Sequence, residues 1–193
     1  GKVYVGQDSI ENPSSGDDFF LACYDSMGNS LWVTSAHATG FEAVFSLAIS
    51  EQSELYLTGY FSDSLQLGAT TIYAQGNRDI FVAKYDTSGQ AVWASSLGGP
   101  GPDESAKIVT DAQGNAYLTG VIRDAAFLPN DTLYGQGNYD PFLAKYSPKG
   151  ELQWLKMMGS PVSDYSKALL WDGDQGLYVA GWFSNTAVFD TLQ

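Results

Sequence analysis

One cysteine, Cys23, and one histidine, His37, are all that 193 residues contain of the side chains most used for staples and metals. A lone cysteine excludes an intrachain disulfide. A lone histidine excludes a metal centre built on several imidazoles, and any Ser-His-Asp arrangement would have to use His37 itself. Basic residues are scarce too: 9 Lys and Arg stand against 22 Asp and Glu, a formal charge of −13. A nucleic-acid binder needs cations to displace counterions from phosphate, so that class is excluded. An anionic membrane surface would repel the chain for the same reason, and no apolar run is long enough for a membrane-spanning helix. The segment GGPGP (98–102) lacks the lysine and helix of a phosphate loop. The opening GKVYVGQDS lacks the apolar core of a signal peptide and reads as mid-strand, as if the chain began inside a larger protein.

What the chain does have is aromatic and repetitive. Five Trp, twelve Tyr and ten Phe within a 44% hydrophobic composition are enough for a packed core. The phrase AKYDTSGQAVW (83–93) has close copies in ACYDSMGNSLW (22–32) and AKYSPKGELQW (144–154). Tyr24, Tyr85 and Tyr146 are 61 residues apart, and so are Trp32, Trp93 and Trp154. Gly28, Gly89 and Gly150 keep that step, as do Asp18, Asp79 and Asp140, and Tyr56, Tyr117 and Tyr178. Markers in register over two full periods identify an internal repeat.

Within one unit, DIFVAKY (79–85) alternates, with Phe81, Ala83 and Tyr85 on one face. That period of two, rich in aromatic and β-branched residues, predicts a strand. The same face recurs as Phe20, Ala22, Tyr24 and as Phe142, Ala144, Tyr146. DTSG then supplies a turn and QAVWASSL the returning partner. ESAKIVTDA and NAYLTGVI, joined around Gly114 and Asn115, form a second hairpin. One unit is therefore four short antiparallel strands with no helical periodicity, and a repeating sheet of this kind predicts an all-β propeller. Strands a to d run outward from the propeller axis as SAKIVTDA, NAYLTGVI, DPFLAKY and LQWLKMM.

The stretch from Asp79 to Gly120 resembles the bacterial seven-bladed propeller repeat called SBBP nearly end to end. The flanking copies depart from it at Cys23, at HATGFEA (37–43) and at DGDQGLYVAG (172–181). The resemblance implies a propeller from large secreted or cell-surface bacterial proteins, extracellular and without an assigned enzymatic role. Its expected work is structural: scaffold, adhesion or self-assembly through protein–protein interaction.

The expected organisation is a partial blade at 1–40 (b-c-d), full blades at 41–101 and 102–162, and a half blade a-b at 163–193. Thirteen strands make about three and a quarter blades, short of the four to eight of a closed propeller. The ends would expose large aromatic faces. They would be covered by further blades of a longer chain or by neighbouring copies, head to tail in a ring or filament.

The a–b and c–d turns share one side. The d–a crossings and the b–c stretches (61–78 and 122–139) share the other, and binding belongs on that long-loop side. Its candidate ligand-binding residues are Asp103, Glu104, Arg123, Asp124, Asp131, Asp164 and Tyr165, with Asn130 beside them. Such oxygens suit Ca²⁺, although no stretch has the spacing of a Ca²⁺ loop and DGDQG supplies only two carboxylates. Expected in blade packing are Phe20, Tyr24, Trp32, Tyr56, Phe81, Tyr85, Trp93, Tyr117, Phe142, Tyr146, Trp154 and Tyr178. Trp171 and Trp182 have no tryptophan counterparts in the other copies and are candidates for a special contact. No catalytic residue, cofactor or resident metal is expected. Two alternatives stay open, a carbohydrate- or Ca²⁺-binding propeller and a polysaccharide-active enzyme.

Overall fold

The structure, a computed structural model, describes residues 2–6, 8–11 and 18–189. These residues form seventeen strands and no helix, so none is long and apolar enough to cross a membrane. In chain order the strands begin with β1 (Lys2–Val5), β2 (Asp8–Glu11), β3 (Phe20–Tyr24), β4 (Ser30–Ser35) and β5 (His37–Ala38). Next come β6 (Glu42–Ile49), β7 (Leu55–Phe61), β8 (Ser64–Leu67), β9 (Thr70–Tyr73), β10 (Asp79–Tyr85) and β11 (Ala91–Leu97). Last are β12 (Glu104–Thr110), β13 (Ala116–Leu128), β14 (Asp131–Tyr146), β15 (Leu152–Met157), β16 (Tyr165–Trp171) and β17 (Leu177–Trp182).

Two four-stranded sheets dominate, ordered β6-β7-β10-β11 and β12-β13-β14-β15. The hairpin β3–β4 precedes them and the hairpin β16–β17 follows. Paired strands are antiparallel, and no sheet closes into a barrel.

The tight turns are built alike. Asp86 Oδ1 accepts the N–H groups of Ser88 and Gln90, and Asp25 does the same for Met27 and Asn29. Ser147 Oγ serves Lys149 and Glu151, and Asp111 serves Gln113 and Asn115. A short polar side chain at the first position thus ties the turn's own backbone. Gly28, Gly89 and Gly150 complete the c–d turns at φ of +85°, +80° and +84°, a conformation other side chains resist.

The core lies between consecutive sheets rather than within one. Tyr56, Ile80, Val82 and Leu97 of the first sheet pack on Ile108, Leu118, Phe142, Ala144 and Tyr146 of the second. Phe81, Ala83 and Tyr85 face the other way, onto Phe19 and Leu21. Phe19 and Phe81 stack at 5.6 Å. The repeated Phe-Ala-Tyr face of β10 and of β14 therefore looks back at the preceding unit, while Tyr56 and Tyr117 look forward. Tyr56 donates from its hydroxyl to Gly114 O at 2.8 Å, and Tyr117 stacks on Trp171 at 5.7 Å.

Three features differ from expectation. First, β1 does not lie beside β3 as the b strand of its unit. It pairs with β2 in the register Lys2↔Glu11 to Val5↔Asp8, closed by a Lys2–Glu11 ion pair of 3.0 Å. A short reversal after Gly6 costs little loop-closure entropy, so the local hairpin forms. Second, the long b–c stretches are not loops. In the first unit they contain the hairpin β8–β9, and β8 also pairs with β5. In the second, β13 and β14 run on to a turn at Pro129–Asn130, with Leu128 opposite Asp131. Alternating Leu65, Leu67 and Ile72, all buried, drive the first of these. Third, three of the residues expected in blade packing are exposed, because no described sheet lies against them: Phe20 is 54% exposed, Tyr24 53% and Tyr178 62%. Residues 12–17 of the first b–c connection and 190–193 of the last unit lie outside the described residues.

Candidate functional site

The long-loop side is knitted together by a bond that recurs every 61 residues. His37 pairs with Gln66 in β5–β8, Phe127 N donates to Gly98 O at 2.8 Å, and Val188 N donates to Gly159 O at 2.7 Å. Each time, the d–a crossing of one unit is pinned to the b–c hairpin of the next. Binding groups on this side therefore sit on a braced surface rather than on free loops.

Beneath it lie buried carboxylates. Asp79, Asp103, Asp140 and Asp164 are all fully buried. Asp103 accepts Gly99 N at 2.9 Å and Arg123 N at 2.7 Å, while Asp164 accepts Ser160 N at 2.5 Å and Ser184 N at 2.7 Å. Both oxygens of each are engaged, so these two sequence candidates act as ties between crossing and hairpin. Asp79 and Asp140 accept one N–H each, from Gln75 and Gly137, and each keeps one oxygen without a partner. Gly98 lets Asp79 and Asp103 approach, since a Cβ there would lie 2.7 Å from the Asp79 carboxyl carbon.

Burial raises the carboxyls of Asp79 and Asp140 above the ordinary range and pushes Asp103 up to about 7. A carboxyl raised in the folded state favours folding fully below its unfolded value, and that contribution is lost as pH climbs through the folded value. The turn carboxylates have the opposite sign. Hydrogen bonds from Asn29, from Ser88 and from Asp174 N hold Asp25, Asp86 and Asp172 below 3.8, so their contribution is lost in stronger acid. Stability is thus expected to peak near pH 4 and to fall as the pH climbs to about 7. Unfolding free energies from urea titrations should fall from pH 5.5 to 8.5 by on the order of 2 kcal/mol, with the midpoint falling alongside. A midpoint that rises over that interval contradicts the buried-carboxyl account.

The half-buried layer above them differs between units in a constant frame. In the first sheet Arg78 pairs with Glu104 and lies over the Tyr60 ring at 4.4 Å. One period later Tyr139 and Tyr165 occupy those two positions and stack at 5.7 Å. Tyr165 in turn stacks on Trp182 at 5.1 Å, and Arg123 covers Tyr139 at 5.6 Å. An aromatic and cationic ladder, Arg123–Tyr139–Tyr165–Trp182, results. Its far end opens on a cavity of about 300 Å³ lined by Met158, Tyr165, Val179, Trp182 and Phe189. A separate polar hollow beside the Tyr60–Arg78 pair is lined by Phe41, Tyr60, Ser62, Asp63, Asn77 and Arg78.

Of the seven sequence candidates, Glu104, Arg123 and Tyr165 join this surface. Asp124 lies beside Arg123, its Oδ2 3.7 Å from Nε, and Asp131 sits apart at the hairpin tip, accepting Thr132 N. Tyr60, Arg78, Tyr139 and Trp182 complete the surface. The first three were legible only as positions that change between copies while their neighbours Asp79 and Asp140 do not. His37 stands 3.3 Å from Asp18 Oδ2, Cys23 is half-buried, and Asp172 Oδ1 ties its own turn. No group of three or more His, Cys, Asp or Glu that could hold a metal ion exists among the described residues.

The packing residues show how units join. Trp32 Nε1 donates to Thr87 O and Trp93 Nε1 to Pro148 O, both at 3.0 Å. Each indole lies on the glycine of the turn it bonds, Gly89 or Gly150. Lys84, largely buried, donates to Pro148 O at 3.3 Å and pairs with Glu54 at 2.7 Å. Trp171 is accounted for by its stack on Tyr117, and Trp154 tilts against the same ring at 6.1 Å.

No family model matches the chain. A protein named as an uncharacterized WD repeat-containing protein, L264, of Acanthamoeba polyphaga mimivirus is 26% identical over 134 residues, which is 63% of this chain and 10% of that protein. Regulatory protein FlaEY of Caulobacter vibrioides is 26% identical over 121 residues, 59% of this chain and 13% of its own length. The chain thus spans about a tenth of the length of the curated relatives it matches.

Proposed function

We propose that this chain is a β-propeller segment of the SBBP-like kind that works as a non-enzymatic protein-interaction scaffold, engaging its partner on the long-loop side. The observation that carries the reading is the division of labour between positions. Residues constant from unit to unit are consumed by turns, core and inter-sheet bonds. Those that vary gather as the half-buried ladder from Arg123 to the exposed Trp182 and its counterpart around Tyr60 and Arg78. Aromatic rings and arginine are the side chains that dominate protein contact surfaces. Four antiparallel strands per 61-residue unit, packed sheet on sheet, support the propeller architecture. The WD-repeat relative adds support, because WD repeats build one four-stranded blade each. Secretion and display on a cell surface remain part of the proposal, resting on composition and resemblance.

A carbohydrate site is the second reading, favoured by Trp182, which is 54% exposed at the mouth of the cavity. The inner rings of the ladder spend their faces on one another, which leaves one free platform and favours protein contact. A phage-displayed peptide library selected on the chain tests the choice. Binders protecting Tyr60, Arg123, Tyr165 and Trp182 from hydrogen exchange are expected. Protection confined to the tight-turn side, or glycan-array binding that Trp182→Ala abolishes, overturns the reading.

A further inference from the structure

We infer that the chain holds a hard divalent cation of the Ca²⁺ class at two repeated places, one between Asp79 and Asp103 and one between Asp140 and Asp164. The inference stands apart from the choice of partner on the long-loop side, because both places lie beneath that surface.

The first observation is a buried oxygen without a donor. Asp79 is fully buried; its Oδ2 accepts Gln75 N at 3.0 Å, while its Oδ1 has no partner. Asp140, one period on, is equally buried; its Oδ2 accepts Gly137 N at 3.1 Å, and its Oδ1 again has none. A buried polar atom left unsatisfied in the same place twice signals a bound species.

The second is where that oxygen points. A Cβ built on Gly98 would stand 2.9 Å from Asp79 Oδ1 and 2.5 Å from Asp103 Oδ2. The two carboxyls therefore face one small space beside a residue that has no side chain. A Cβ on Gly159 would likewise meet Asp140 Oδ1 and, at 3.4 Å, Asp164 Oδ2. Asp103 and Asp164 each accept a backbone N–H on either oxygen, which fixes their orientation and leaves lone pairs over.

Charge decides the class of occupant. The side-chain charges acting most on Asp103 are those of Asp79 and Asp124, and on Asp140 those of Asp164 and Asp124, all negative. The arginines of this side are spent elsewhere, Arg78 on Glu104 and Arg123 beside Asp124. Water would satisfy a lone oxygen but cannot neutralise two facing carboxylates, whereas a cation does both. Oxygen-only surroundings suit a hard ion, and backbone carbonyls and water would complete a shell of about six to eight ligands. Two carboxylates per place, rather than three or more, imply modest affinity.

The unit that differs supplies the comparison. Counting back 61 residues, Asp18 and Glu42 take the places of Asp79 and Asp103, and His37 takes the place of Gly98. Its Nδ1 stands 3.3 Å from Asp18 Oδ2. Where the crossing carries a side chain, the chain brings its own donor, a cation when protonated, to the carboxyl. Where the crossing is glycine, the space is left to an ion. Two sites per chain are therefore expected, not three.

The placement gives the ion a structural task. Asp103 ties Gly99 of the crossing to Arg123 of β13, and Gly98 O holds Phe127 N at 2.8 Å. An ion between Asp79 and Asp103 fastens β10 to that same junction.

Calorimetric titration of Ca²⁺ into the chelator-treated chain at pH 8 is expected to give two sites. Saturation should raise the melting midpoint by about 5 °C. Asp79→Asn and Asp140→Asn should each remove one site, and together the whole Ca²⁺ shift. Each new carboxamide can donate to the facing carboxylate, so in chelator the double variant should melt no lower than the parent. That separates lost binding from lost folding. Asp131→Asn, at the hairpin tip, should keep both sites. A parent chain indifferent to Ca²⁺ and chelator at pH 8 overturns the inference and leaves a shared proton as what each pair holds. A Ca²⁺ shift undiminished in the double variant overturns it as well, because the ion then sits elsewhere. The loss of stability expected between pH 5.5 and 8.5 belongs to the chelated chain.

Discussion

Trp93→Ala is expected to cost about 3 kcal/mol of stability, in the range for truncating a large aromatic at a packed contact. Three interactions go at once. The ring leaves Gly150, the Nε1 bond to Pro148 O of 3.0 Å is lost, and so is the edge contact with Tyr56 at 6.0 Å. Loss of the indole also exposes the forward face of the first sheet where Lys84 reaches Pro148 O. Trp154→Ala removes the same side chain where no following turn receives it among the described residues, so about 1 kcal/mol is expected. Guanidinium unfolding of the two variants measures the difference directly. Equal costs would mean that the repeated tryptophan acts within its own sheet and not between sheets.

Gly120→Ala is the second large effect, expected at about 3 kcal/mol or failure to fold. Gly120 lies in YLTG, where β12 carries a bulge between Ser105 and Lys107. A Cβ at 120 would stand 2.7 Å from Ser105 Cα and nearer still to Glu104 O, and backbone atoms cannot swing aside as a side chain would. Its carbonyl is in use too, accepting Ser166 Oγ at 2.6 Å from the following hairpin. One period earlier Gly59 is crowded by Ala43 O and accepts Ser105 Oγ, so the same cause acts there. Gly28→Ala is the comparison, with open space around it and a φ of +85°, and about 1 kcal/mol is expected for that backbone alone. Thermal melts of the two variants separate crowding from backbone preference. A Gly120→Ala protein that melts with the parent would mean the strands do not approach as described.

Much of this architecture was legible residue by residue. Alternation in DIFVAKY, the turn residues Asp86 and Gly89 and the 61-residue step are local properties of the chain. They determined the strands, their antiparallel order and which side holds the long connections. The hairpin β8–β9 was legible in principle, since Leu65, Leu67 and Ile72 alternate, but the stretch carried no repeat marker to draw notice.

Burial was not legible in the same way. Asp103 reads as a surface carboxylate beside a glycine-rich crossing. It lies at 0% exposure because Gly99 and Arg123, 20 residues or more apart at their extremes, bring two backbone donors to it. Phe20 and Phe81 are the same residue in the same phrase, yet one is open and the other closed, because a preceding sheet covers only the second. Sequence alone determined the repeating strand and its turns, since those depend on neighbours along the chain. Tertiary structure alone decided which carboxyls ionise with difficulty, which aromatic faces meet water and where β1 pairs. Each of those depends on atoms that folding brings from the adjoining unit, or leaves missing at the ends.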